Sequence, residues 1–87
     1  MPPRATRDAH GRLVWDPRAG DVVRLRQPHA CGEARMVLTQ VALDAHLSCV
    51  GCGRRLRLDR RRLHGRVADV LGVISDFPGL LTSIERG

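Results

Sequence analysis

The strongest constraint on this chain is the run from Pro28 to Leu58, PHACGEARMVLTQVALDAHLSCVGCGRRLRL, which holds all three of its cysteines. Cys49-Val50-Gly51-Cys52-Gly53 is a C-x-x-C-G turn, in which two thiolates can converge on one ion. Gly51 and Gly53 permit the left-handed backbone angles that such turns often need. Upstream, Cys31 is likewise followed by a glycine, Gly32. Two glycine-bearing turns, each at the end of a strand pair, make the arrangement of a zinc ribbon. Thiolate ligands at about 2.3 Å in a tetrahedron select zinc over magnesium or calcium.

Three cysteines leave a tetrahedron one ligand short, and two histidines compete to complete it. His29 lies two residues before Cys31, and His46 three residues before Cys49. A ribbon draws two ligands from each turn, and Cys49 and Cys52 already fill the second. His29 gives the balanced set. His46 sits on a strand whose next same-face residue is Ser48, so its direction fits less well. The expected ligands are therefore His29, Cys31, Cys49 and Cys52, with His46 as the alternative fourth. A redox dithiol competes with the metal reading. Redox C-x-x-C motifs open a helix in a βαβ unit, where the thiolate is stabilised, whereas this one falls between strands. Iron–sulfur ligation by the same four groups is the other competitor. A closed set of four leaves no position for water, so the ion is structural. Its contribution to folding is on the order of 10 kcal/mol at neutral pH.

So large a contribution matters in a chain of 87 residues with one Trp and one Phe. A domain of this size buries a modest fraction of its surface and is often marginal without reinforcement. Asp21-Val22-Val23-Arg24-Leu25-Arg26 alternates as a half-buried strand requires, with Val23 and Leu25 inward. Arg35 to Leu43 reads as a second strand and His46 to Ser48 as a third. Arg55 to Leu58 is a fourth, with Leu56 and Leu58 inward. Asp59 is a good helix N-cap, and Leu63, Val67, Val70, Leu71 and Ile74 follow at helical spacing, predicting a helix from Arg60 to Leu71. The expected fold is a small zinc-stabilised β-rich domain, zinc-ribbon-like antiparallel strands followed by one C-terminal α-helix. Its organisation is a flexible basic arm over 1–20, the domain with its basic helix over 21–72, and a short apolar tail over 73–87. Within the arm, Arg12 to Trp15 is a short extended piece, and Trp15 covers an edge of the core.

These residues carry a resemblance. Gly20-Asp21-Val22-Val23, Pro28-His29-x-Cys31-Gly32, Cys49-x-Gly51-Cys52-Gly53 and a basic helix together resemble a family of short bacterial proteins, domain of unknown function 951. The similarity covers about Gly20 to Leu71. The family motif has histidine and cysteine at His29 and Cys31, which supports His29 as a ligand. Ala30 stands where the family has proline, and Ala34, Arg35 and Met36 offer no tryptophan where members commonly carry one. Leu58-Asp59-Arg60 stands where a proline precedes the family's arginine. The resemblance implies a fold and a site, and no activity.

The formal net charge is +6, and all fifteen basic side chains are arginine. Seven lie close together: Arg54, Arg55, Arg57, Arg60, Arg61, Arg62 and Arg66. Such clustering points to an anionic partner, nucleic acid before membrane. Three arginines in a first helical turn oppose the helix dipole, and an anion bound there would remove the conflict. With so few aromatics for base stacking, contact with the phosphate backbone is the expected mode, on DNA or RNA. The competing class is a protein-interaction module, docking on a larger assembly through the zinc turns or the tail (Val73, Ile74, Phe77, Leu80, Leu81). Catalysis is not expected, nor a small-molecule substrate. Ser48, Ser75 and Ser83 lack a base-and-orienter pattern, His64 reads as a surface residue, and His10 lies in the arm. No stretch approaches the ~20 apolar residues of a membrane span. The N-terminus has charge without a following apolar core, unlike a signal peptide. Persistent thiols suit a reducing compartment, so the expected location is the cytoplasm.

Overall fold

A computed structural model describes residues 5–79 of the chain. Strands β1 (Ala5–Arg7) and β2 (Leu13–Trp15) form a small antiparallel hairpin. Four further strands run as an antiparallel meander: β3 (Asp21–Leu25), β4 (Arg35–Val41), β5 (Asp44–Cys49) and β6 (Arg55–Asp59). Helix α1 (Arg60–Arg66) follows directly, then β7 (Val67–Val73) and a 3₁₀ turn at Ile74–Asp76. The second sheet has the order β6-β5-β4-β3-β7, so the last strand returns to pair with the first of the meander.

The alternation read from the sequence sets which face is buried. Met36 opposes Val23 and Cys49, Leu38 opposes Leu47, and Leu47 opposes Leu56. Directly opposed residues share a face, so these side chains meet on the inner one. They form one core with Trp15, Ala45, Leu63 and Val67. Each large aliphatic group buried there contributes roughly 1.5–3 kcal/mol.

Connectivity forces the sheet to curl. Helix α1 joins the two edge strands without linkers, and its seven residues span about 10 Å. The edges of a flat five-stranded sheet would stand about 19 Å apart. Consistent with closure, Leu25 of β3 and Leu56 and Leu58 of β6 line one cavity. A four-strand meander is thus followed by a short helix and a fifth strand that returns to pair with the first.

Among the described residues the antiparallel β-rich domain with its basic helix is therefore present, but that helix is followed by a strand and does not reach Leu71. The sequence Val67-Ala68-Asp69-Val70-Leu71-Gly72-Val73 fits both periods. β3 decides between them. Its free edge presents backbone donors and acceptors that need partners, and β-branched residues suit the strand that supplies them. Register shifts between Val22 and Val23, and between Arg24 and Leu25, adapt β7 to that edge. Asp59 caps the short helix as expected, accepting from the Arg61 N–H at 2.8 Å.

Part of the segment expected as a flexible arm is the β1–β2 hairpin, and it is joined to the core. Trp15 is buried, and its indole N–H donates to Asp21 at 2.9 Å. The same carboxylate accepts from the Arg18 N–H at 3.0 Å. His64, expected on the surface, packs its ring 5.6 Å from Trp15 and donates from Nε2 to the Trp15 carbonyl at 2.8 Å. At the other end, Ile74 and Phe77 cover Val22, Val37 and Val50 on the outer face of the sheet. These two residues of the expected docking tail are thus engaged within the domain. Leu80 and Leu81 lie outside the described residues. Among the described residues, no helix is long and apolar enough to cross a membrane.

Candidate metal centre

In an antiparallel meander, alternate connections fall at the same end. The β3–β4 connection carries His29 and Cys31, while Cys49 ends β5 and Cys52 lies in the β5–β6 connection. Because β4 and β5 are neighbours, the two turns meet. The ligand atoms of His29, Cys31, Cys49 and Cys52 all lie within 4.8 Å of one another. His29 Nδ1 is 3.3 Å from the Cys31 sulfur and 3.5 Å from the Cys52 sulfur. The Cys31 and Cys49 sulfurs are 3.5 Å apart.

These distances can be compared with a tetrahedron. Zn–S bonds of about 2.3 Å place sulfurs about 3.8 Å apart, and a Zn–N bond of about 2.0 Å places nitrogen about 3.5 Å from sulfur. The three short edges fall within about 0.3 Å of that figure. A disulfide needs sulfurs at about 2.05 Å, and all three cysteines are free. The four residues thus have the donor chemistry and spacing to hold one metal ion.

Local hydrogen bonds shape each turn. The His29 N–H donates to the Glu33 carbonyl and the Gly32 N–H to the His29 carbonyl, both at 2.8 Å. Gly32 has φ 92° and Gly53 φ 75°, conformations costly for other residues. In the second turn the Gly53 N–H donates to the Cys49 carbonyl at 2.9 Å, and the Cys49 N–H to the Arg54 carbonyl at 2.8 Å. Gly51 serves differently from the left-handed role expected for it. A Cβ there would meet the Glu33 Cβ at 2.9 Å, so its lack of a side chain lets the turns touch. The Glu33 carboxylate is fixed by Arg35 at 2.9 and 3.2 Å, and this pairing draws its pKa below the ordinary value.

Burial divides the ligands. Cys49 is buried within the core, His29 is half-buried, and Cys31 and Cys52 are exposed. His46 belongs elsewhere. It opposes Gln40 and Arg57 on the outer face of β5, together with Ser48, which opposes Arg55. The same-face relation to Ser48 that disfavoured His46 in the sequence is present. The C-x-x-C pair lies between two strands, not at the start of a helix.

The seven clustered arginines are all exposed, but they are not equivalent. Arg57 approaches Asp44 at 3.8 Å, Arg60 approaches Asp16 at 3.5 Å, and Arg61 approaches Asp59 at 3.5 Å. Arg54, Arg55, Arg62 and Arg66 make no ion pair among the described residues. The expected anion site lies at the start of α1, whose first turn holds no acidic residue. The helix is short, and the Asp59 carboxylate already takes the Arg61 N–H, which lowers the Asp59 pKa. Arg26, outside the expected cluster, donates its N–H to the Arg66 carbonyl at 2.9 Å. Both line the 410 Å³ cavity with Leu25, Leu56 and Leu58. The alternation of arginine with Leu25 was its only signal.

The chain is 28% identical over 51 residues to the uncharacterized protein YyzM of Bacillus subtilis (strain 168), covering 59% of this chain and 75% of that protein. No solved structure matches. The profile described as bacterial protein of unknown function (DUF951) matches residues 18–71, which span the metal cluster and the strands β3 to β6. More than half of the chain lies in that match, and the protein belongs to the DUF951 family.

Proposed function

We propose that this is a non-enzymatic, cytoplasmic zinc protein whose unpaired arginines contact the phosphate backbone of DNA or RNA. Zinc is favoured by the donor set, three thiolates and an imidazole whose ligand atoms all lie within 4.8 Å of one another. Four protein ligands leave no position for a reacting water, so the ion holds the two turns together and does no chemistry.

The observation that carries the nucleic-acid reading is the state of the acids. Glu33 is paired with Arg35, Asp21 holds Trp15, Asp59 caps α1, and Asp76 accepts from the Val73 N–H. Arg54, Arg55, Arg62 and Arg66 are exposed and make no ion pair among the described residues, and they lie in or beside β6 and α1. Such a surface attracts a polyanion and binds it with release of counterions.

Four phosphate contacts give a slope of log affinity against log salt of about −3.6 on duplex DNA and about −2.8 on single strands. Zinc-loaded protein titrated into labelled duplex DNA and structured RNA at several salt concentrations measures it. Replacing any one of the four by alanine is expected to reduce the slope by about one contact. Binding no tighter than that of a basic peptide of equal charge refutes the proposal. A partner retained without salt dependence points instead to an apolar protein-docking module. Metal analysis of the purified chain tests the ion, with one zinc per chain expected.

A further inference from the structure

The outer face of β4, β5 and β6 holds a hollow of 240 Å³ lined by Thr39, Gln40, His46, Ser48 and Arg55. We propose that it takes one phosphate group of a nucleic-acid strand, with Ser48 at its floor. This rests on the nucleic-acid reading above for the source of the phosphate, and it assigns that reading a specific pocket.

The fold builds the hollow with a bulge. Leu38 opposes Leu47 on the inner face, yet Gln40 opposes His46 on the outer one, because the register shifts between them. Strict alternation would turn Gln40 inward. The extra residue, Thr39, re-aims it outward, as bulges do. The Thr39 hydroxyl donates to the His46 carbonyl at 3.2 Å and braces the bulge against β5. The result sets an amide, an imidazole, a hydroxyl and a guanidinium around one depression.

Their hydrogen-bonding capacity is unspent. Ser48 is only 2% exposed, and its hydroxyl has no partner among the described residues although no fully buried side-chain atom lacks one. That hydroxyl therefore opens onto the hollow. The side chains of Gln40, His46 and Arg55 likewise have no side-chain partner among the described residues. Arg57, opposite His46, is shared only loosely with Asp44 at 3.8 Å. Donors outnumber acceptors, and the one guanidinium in the lining is unpaired, which suits an oxyanion. The volume is below the range of ordinary small-molecule pockets, so it fits a single group of a longer ligand.

The experiment follows backbone and side-chain NMR signals of the zinc-loaded full chain. Inorganic phosphate is titrated against sodium chloride at matched ionic strength, and a single-stranded oligonucleotide is titrated in parallel. The expected result is saturable shifts at Gln40, His46, Ser48 and Arg55 with phosphate and not with chloride, and the same signals moving with the oligonucleotide. Ser48→Ala and Gln40→Ala are each expected to weaken both ligands by about threefold to tenfold. Neither changes charge, so the salt slope should stay as in the wild type. Gln40 is exposed, and its variant covers the case in which Ser48→Ala misfolds. Wild-type oligonucleotide affinity in both variants overturns this pocket and leaves the arginine reading standing. Phosphate binding without any oligonucleotide binding overturns the nucleic-acid reading and with it the polymeric source. Unsaturable shifts spread over all exposed arginines overturn the pocket as well.

Discussion

Gly51→Ala is the sharpest test of the way the two turns are joined. The added Cβ would lie 2.9 Å from the Glu33 Cβ, 3.3 Å from its Cγ and 3.6 Å from the Cys31 sulfur. Ordinary contact begins near 3.4 Å, so about half an ångström must be found. Glu33 cannot supply it by rotating away, because its Cβ is carried by the backbone. Its carboxylate is also held by the N–H groups of Ala34 and Arg35 and by the Arg35 guanidinium. The turns themselves must separate, and the Cys31 ligand moves with them. Protein metal sites hold their bond lengths to about 0.2 Å, so this displacement would reach an ion held by the cluster. Overpacking of this kind costs about 1–3 kcal/mol, which corresponds to about five- to 150-fold in zinc affinity. Competition for zinc with a chromophoric chelator measures the loss directly. Gly65→Ala is the control, since a Cβ there meets nothing within 4 Å. In the interior of α1 it should stabilise by about 0.5–1 kcal/mol, raising Tm by a few degrees. Wild-type zinc affinity and Tm in Gly51→Ala would refute the close approach of the turns.

Two further outcomes are expected. His29→Ala should lose tight zinc binding and unfold in a chelator at concentrations the wild type withstands, while His46→Ala should keep its zinc; metal content after dialysis decides between them, and the reverse pattern would move the fourth ligand to β5. Asp21→Ala should destabilise by about 1–3 kcal/mol by stranding the buried indole N–H of Trp15, read from denaturant unfolding followed by the fluorescence of this single tryptophan.

The meander and its cluster were legible because both are written in short-range pattern. Val23 alternates with Arg24, and Leu56 and Leu58 alternate with Arg55 and Arg57. Glycine marks each turn beside a cysteine. What escaped was decided by partners distant in sequence. Val67, Val70 and Leu71 suit a helix as well as a strand, and only the open edge of β3 selects the strand. Trp15 was placed at the margin of the core, but its hydrogen bond to Asp21 and the ring of His64 draw the whole hairpin in. His64 was misjudged for the same reason, since the group it touches lies 49 positions away. Gln40 could not be assigned to a face, because the bulge at Thr39 shows only once β4 and β5 are paired.

The return of β7 to β3 has a consequence for how the chain is made. Asp21 pairs with Val73, whereas the last candidate ligand is Cys52. During synthesis from the N-terminus, the meander's metal turns are complete before the strand that covers the edge of β3 has been added. Long-range pairings form late because loop closure must precede the contacts that reward it. At that point the chain carries every candidate ligand but not the strand that covers the edge of β3. An ion captured at that stage would fix the order of β3 to β6, and β7 would then close an already formed template.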